Sequence, residues 1–364
     1  MMIGKILKWG VLVVVGIFIL SILFGGEDKP KVDDKKPDKK PDKKPDCGNG
    51  SCDEGETIAS CPADCKEKEP GKEPGKEPDK DAWAKIRADD VAKTADGWSK
   101  PVWLEVNTPN WEDGAYISGD GNKVYYAYYP GDLFGDLGSG NIKKETIKIY
   151  MSEKPFTTKE KYRQLKKADI KKYGGDIFSE GGVMISGTDI YYMTNEPTSD
   201  SDKDYDDNIY KNGELLTFNK PDRSEGDPHY CAAKDELYFW TKPGTSADND
   251  AIGADIYVYK EGKLGKLPEP INYEDTGDMQ PFLTPDCNAM YFTTNRGDIP
   301  GVIGPAIYMS KRSGESWSKP TPVVWGKTGV GEPTLTDDGK ILSFIQIFKM
   351  KKAHNSDMFY IERT

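Results

Sequence analysis

Carboxylates recur in this sequence at places where they could do chemistry. Glu112 with Asp113, then Glu180, Asp227, Asp278 and Glu332, each stand at the head of a short apolar segment. Acids repeated in this way can surround a cation or a polar ligand, can cap backbone N–H groups at a chain entry, or can simply be hydrated. The densest local cluster is "EGDPHY", Glu225 to Tyr230, where Glu225, Asp227 and His229 lie within five residues. Two carboxyl groups flanking a glycosidic bond can cleave it, one as acid and the other as base or nucleophile. Asp113, Glu180, Glu225 and Asp227 could be cast in those roles. The non-catalytic reading assigns Asp113, Glu180, Asp227, His229, Asp278 and Glu332 to a ligand-binding mouth. His354 is the only other histidine, which excludes a His-rich metal site. In "SDSDKDYDDN", Asp200, Asp202 and Asp204 alternate as in a calcium loop, but the following glycine and the distal glutamate of such loops are missing. The reading is that no cofactor is required, these aspartates forming a plain hydrated acidic loop, with calcium as the alternative.

These acids must be positioned by something, and the sequence supplies it as a repeat. Five segments share a short strand, a turn and an apolar-aromatic strand: "AYISGDGNKVYYAYY" at Ala115, "VMISGTDIYYMT" at Val183, "PHYCAAKDELYFWT" at Pro228, "PFLTPDCNAMYFTT" at Pro281 and "PTLTDDGKILSFIQ" at Pro333. Ser118 precedes Val124 by six residues, as Thr284 precedes Met290 and Thr336 precedes Leu342. The Gly-, Asp- and Asn-containing turns between them suit hairpins. A third strand follows each pair, identical as "IYMS" at Ile149 and Ile307. A fourth leads to the next copy in "KYRQLKK", "ELLTFNK", "GKLGKLPEPI" and "ESWSKPTPVV". The fifth copy ends at Thr364 without one. "GWSKPVWLEV", Gly97–Val106, repeats the "WSKP" of Trp317–Pro320 and stands ahead of the first copy. It is read as the missing outer strand, completing the last unit and leaving no open sheet edge. The predicted fold is all-β, a five-bladed β-propeller closed by an N-terminal strand. In such a ring the first strand of each copy lines a central channel, with the recurrent acids at its mouth.

The fourth copy resembles the WD-like propeller repeat of TolB-type proteins. Pro281, Thr284, Asp286, Met290, Tyr291, Phe292, Thr294 and Arg296 match the family pattern, while Cys287 stands where the family has glycine. The resemblance covers about Gly97 to Thr364. It implies the propeller and leaves the activity open between scaffolding, partner binding and catalysis. Five-bladed glycosidases of the arabinanase and invertase kind also place acids at inner-strand starts, and their resemblance implies the catalytic alternative above.

Ahead of the repeats, residues 9–26 read "WGVLVVVGIFILSILFGG", without a charge and long enough to cross a bilayer as a helix. Residues 1–26 are read as an uncleaved signal-anchor. A Lys-Pro-Asp spacer follows at 27–46, then "CGNGSCDEGETIASCPADC" at 47–65, a second spacer at 66–81, and the propeller at 82–364. The cysteine-rich stretch resembles a short module of secreted proteins, and Cys47, Cys52, Cys61 and Cys65 are expected as disulfides of undetermined pairing. Cys231 and Cys287 fall in adjacent copies, either as a further disulfide or as two thiols. Lysines are denser after the span than before it, against an outward C-terminus. The cysteine pattern requires an oxidising compartment and decides for one. The expectation is a single-pass membrane protein with its bulk outside the cell, held in the membrane through residues 9–26 and meeting a cell-surface protein or a carbohydrate. Net charge is −11 with no basic patch beyond the spacers, which excludes nucleic acid as a partner.

Overall fold

The computed structural model describes residues 80–138, 147–156, 163–164, 180–195, 206–220, 223–243, 253–350 and 353–364. The expected span at 9–26, the spacer at 27–46, nearly all of the spacer at 66–81, Cys47, Cys52, Cys61, Cys65 and the Asp200–Asp204 loop lie outside them. Among the described residues, no helix is long and apolar enough to cross a membrane.

The described chain opens with helix α1 (Lys80–Asp89) and two short strands, β1 (Lys93–Thr94) and β2 (Val102–Trp103). Five antiparallel units follow. Unit 1 holds β3 (Trp111–Ile117), β4 (Lys123–Tyr129), helix α2 (Leu133–Gly138), β5 (Lys148–Glu153) and β6 (Arg163–Gln164). Unit 2 holds β7 (Glu180–Ser186), β8 (Asp189–Thr194), β9 (Asn208–Lys211) and β10 (Glu214–Leu215). Unit 3 holds β11 (Arg223–Cys231), β12 (Glu236–Pro243), β13 (Asp255–Lys260) and β14 (Lys263–Lys266). Unit 4 holds β15 (Asp278–Leu283), β16 (Ala289–Thr294), β17 (Ala306–Ser313), β18 (Ser316–Trp317) and β19 (Thr321–Trp325). Unit 5 holds β20 (Val330–Leu335), β21 (Ile341–Met350) and β22 (Ala353–Glu362). The expectation of an all-β chain is corrected by α1 and α2, so the fold is mostly β. α1 escapes a reading based on strand alternation because its large apolar residues, Trp83 and Ile86, are only two and lie next to a Lys-Pro-Glu spacer.

Each unit's first strand packs against the next: β3 on β7, β7 on β11, β11 on β15, β15 on β20, and β20 back on β3. This propeller-like arrangement explains the continuous apolar runs of the second strands. β12, β16 and β21 lie between neighbouring sheets and are covered on both faces. Tyr126, Tyr192, Phe239, Phe292 and Phe344, all in second strands, are fully buried. The N-terminal segment reaches two units. β1 pairs with β19, Lys93 opposite Trp325. β2 pairs with β22, Val102 opposite Tyr360, and an isolated bridge joins Trp98 to Arg363. The first of these pairings was not expected from the sequence. β22 also meets β3 in parallel at Ser356 and Trp111, so units 5 and 1 form one continuous sheet.

Every first strand carries a β-bulge at the same place. The register slips between Asp113 and Tyr116, Gly181 and Met184, Gly226 and His229, Met279 and Phe282, and Gly331 and Thr334. One residue in each bulge is left-handed: Gly114, Gly182, Asp227, Gln280 and Glu332, with φ between 48° and 61°. A bulged residue is left out of the ladder. A proline can therefore follow at Pro228, Pro281 and Pro333 without losing a ladder bond.

Candidate functional site

The bulge residues converge on the axis of the ring. They and their followers, including His229, Phe282 and Thr334, line a cavity of about 40 Å3. That is room for a few water molecules and far below the few hundred Å3 of an ordinary ligand pocket.

The axial side chains form a hydrogen-bonded chain across four units. The Trp240 indole N–H donates to Asp227 Oδ2 at 2.7 Å, and the Gln280 side chain also hydrogen-bonds Asp227. Gln280 Nε2 donates to Glu332 Oε1 at 3.0 Å, while the Glu332 backbone N–H donates to Gln280 Oε1 at 3.1 Å. Glu332 Oε2 accepts from the backbone N–H of Gly114, and its carboxyl meets that of Asp113. Asp113 in turn accepts from the Trp111 indole N–H at 3.0 Å. Unit 2 contributes Gly182 and no axial side chain. A Cβ there would come within 2.9 Å of Asp227 Oδ1.

Burial dominates the electrostatics. Asp113 is 1% exposed and its carboxyl is pushed up to about 6 by desolvation. Desolvation also raises Asp227, to about 7, with the charge of Asp113 adding to it. Glu332 is held well above the usual carboxylate range by burial and then by Asp113 and Asp227. Two carboxyls in contact resist ionising together in such surroundings, which favours the protonated form of Glu332 beside Asp113. His229 is buried, its ring 4.3 Å from that of Phe282, and desolvation pulls its pKa down to about 3. It is neutral and takes no part in the acid chain.

The recurrent acids of the sequence divide into two tiers. Asp113, Asp227 and Glu332 belong to the axial chain. Glu112, Glu180, Glu225 and Asp278 lie two residues before the left-handed position, each opposite the end of its second strand, at Tyr128, Thr194, Thr241 and Thr294. Glu112 Oε1 accepts from the N–H and hydroxyl of Thr108. Asp278 accepts from Tyr273 N–H, Thr276 Oγ1 and Arg296. Glu180 meets Lys148 at 3.3 Å. Glu112 and Asp278 therefore cap the loops that enter their strands. Of the four carboxylates considered for catalysis, Asp113 and Asp227 join the axis, while Glu180 and Glu225 stay at the strand heads.

Sequence reasoning missed Gln280, Trp111 and Trp240, and the signal for Gln280 was present. Gly114, Gly182, Asp227, Gln280 and Glu332 each precede a Ser, Thr or Cys of the hairpin turn by four residues: Ser118, Ser186, Cys231, Thr284 and Thr336. Reading for acids alone mixes positions four, five and six residues ahead. Cys231 and Cys287 form a buried disulfide between units 3 and 4, their Cα atoms 6.0 Å apart. Among the described residues, no group of three or more His, Cys, Asp or Glu is arranged to hold a metal ion. The calcium candidate, Asp200, Asp202 and Asp204, lies outside them.

No protein-family model and no curated protein matches this chain. Among solved structures, it is similar to one described as TolB from Agrobacterium tumefaciens, at 13% identity over 76% of this chain and 92% of the other, TM-score 0.39. It is also similar to the β-propeller domain of the Trilobed protease from Pyrococcus furiosus, at 11% identity over 70% and 81% of the two chains, TM-score 0.35. A third is the GH43 protein BlXynB from Bacillus licheniformis, at 10% identity, TM-score 0.41, with 71% of this chain and 54% of that one covered. Likeness at this level assigns no activity.

Proposed function

We propose that this chain is a five-bladed β-propeller, closed by its N-terminal strand in the last blade, and that it acts as a non-catalytic binding or interaction module. The observation that carries the reading is the fate of the axial carboxylates. Asp113, Asp227 and Glu332 are spent on Trp111, Trp240, Gln280, one another and the Gly114 backbone, around a cavity of about 40 Å3. A glycosidase needs a sugar ring between two carboxyls about 5–9.5 Å apart, one protonated and one ionised. Here Asp113 and Glu332 touch, and the cavity of about 40 Å3 leaves no room for a sugar ring between the carboxyls.

The module is displayed outside the cell on residues 27–81, anchored through residues 9–26, with a cell-surface protein or a carbohydrate as partner. The buried Cys231–Cys287 disulfide supports an oxidising compartment. The second reading, a glycoside hydrolase, draws on the raised carboxyl of Asp227, which is what a general acid requires. The full chain, purified in detergent, separates the two. We expect no sugar release from an arabinan and fructan panel, and retention on a glycan array or cross-linking to a surface protein of intact cells. Sugar release that is abolished by Asp227→Asn overturns the binding reading.

A further inference from the structure

A cavity larger than the axial one lies away from the axis. It is a cleft of about 300 Å3 between unit 5 and unit 1, where the ring's first and last sheets meet. Its floor is apolar and comes from both sides: Leu104 beyond β2, Ile117 and Val124 from the first hairpin, and Phe156 after β5. All four are less than 10% exposed. Interiors close-packed elsewhere leave few voids wider than a water molecule, and this volume sits at the lower end of small-ligand pockets. The cleft exists because β2 is only two residues long. The chain leaves the β22 edge after Trp103, with Leu104 N–H still bonded to Met358 O, so the outer strand does not extend over the seam.

The rim is polar and mainly negative. Val102 and Tyr360 stand opposite each other on β2 and β22, and Glu362, two residues on, points to the same side of the sheet. Glu105 also lines the cleft. Both glutamates are exposed, and among the described residues neither forms an ion pair. The Tyr360 hydroxyl has no hydrogen-bond partner there either, and burial followed by the Glu362 charge raises its pKa. Lys154 is the one cation lining the cleft. An apolar floor beneath two carboxylates and a phenol oxygen is complementary to an apolar body carrying a positive head.

We infer that this seam cleft is a binding site for a small amphiphilic amine, its hydrocarbon or aryl body on Leu104, Ile117, Val124 and Phe156 and its ammonium at Glu105, Glu362 and the Tyr360 hydroxyl. The site is separate from the axial carboxylates and does not depend on whether they are catalytic.

Calorimetry on the full chain at low salt tests it with three probes of one shape: tryptamine, neutral 3-ethylindole and anionic indole-3-propionate. Tryptamine should bind at least about tenfold more tightly than indole-3-propionate, and the gap should narrow as salt screens the rim. Glu105→Gln with Glu362→Gln changes two exposed side chains and should remove most of that preference while leaving 3-ethylindole unchanged. Val102→Arg should weaken all three by blocking the mouth. If the three probes bind equally, if none binds at millimolar concentration, or if the double Gln variant keeps the preference, the inference is wrong. A Leu-Lys-Trp tripeptide that binds more than about tenfold better than tryptamine makes the occupant a polypeptide and overturns the small-amine assignment.

Discussion

Replacing Asp113 by asparagine should stabilise this protein at pH 8 and do markedly less at pH 4.5. Asp113 is fully buried, contacts the Glu332 carboxyl and accepts the Trp111 indole N–H. An asparagine keeps the acceptor for Trp111, carries no charge, and offers an N–H to Glu332. The wild-type carboxyl has its pKa raised from 3.8 to about 6 on folding, chiefly by desolvation. A raised carboxylate pKa means that the folded state holds the proton more tightly than the unfolded chain. Its stabilising contribution is complete below the unfolded value near 4 and is lost as pH rises through about 6. A shift of that size corresponds to roughly 3 kcal/mol at 1.36 kcal/mol per pKa unit, an upper bound because Asp113, Glu332 and Asp227 titrate jointly. Urea unfolding of wild type and Asp113→Asn at pH 4.5, 6 and 8, at fixed ionic strength, reads the difference directly. The variant should gain up to about 2 kcal/mol on the wild type between pH 4.5 and pH 8, because the first ~1 kcal/mol of the effect is already lost between the unfolded pKa and pH 4.5. A difference that does not change with pH, or a variant less stable at pH 8 than the wild type, refutes the argument that these carboxyls share protons at the axis.

Three further outcomes follow from the same structure. Arg312→Met should cost about 3–5 kcal/mol, because Arg312 bonds buried Glu236 at 2.6 Å and the Tyr238 hydroxyl at 3.1 Å, and only half-exposed Lys260 would remain to balance that charge. Glu236 is held down to about 2, against desolvation, by Arg312, Tyr238 and Lys260. The pair's contribution is therefore present above pH 4.5 and lost as pH falls towards 2, so acid unfolding should show less effect of the substitution than unfolding at pH 7. Replacing Cys231 and Cys287 together by serine opens a link across a sequence separation of 56 and should cost roughly 4 kcal/mol by the chain-entropy model, measured against the oxidised protein in urea. Removing residues 1–79 should leave the unfolding midpoint unchanged. Removing residues 1–106 takes away buried Trp83, Leu104 and Val106 together with the β2–β22 pairing, and should lower the midpoint by at least about 10 °C. Equal midpoints would refute the role of the N-terminal strand in closing the ring.

The strand order was legible because it is written locally and five times over. The hairpins begin at Ser118, Thr284 and Thr336 because a hydroxyl there binds Asp120, Asp286 or Asp338 two residues on, fixing each turn from residues within reach of one another. The same regularity led to Gly97–Val106 being expected as an outer strand, of which Val102–Trp103 pairs with β22. The acids were harder. A carboxylate at a strand head looks the same in sequence whether it caps a loop, as Asp278 does, or reaches the axis, as Glu332 does. The difference is two residues of register, and the bulge that sets it uses Asp, Gln and Glu in a left-handed conformation that glycine alone signals clearly.

By itself the sequence determined the repeat, the hairpins, the candidate Cys231–Cys287 pair and the order of the strands, since each depends on residues near in the chain or on copies that can be compared. Tertiary structure alone decided which acids meet. Asp113, Asp227, Gln280 and Glu332 lie on four units, and their partnership exists only once the ring brings the first unit beside the last. The same juxtaposition creates the seam cleft, whose floor joins Leu104 to Phe156 and whose rim joins Glu105 to Glu362. Burial at the axis, a property of the packed ring and of no single segment, is what turns three ordinary carboxylates into groups that hold protons near neutrality.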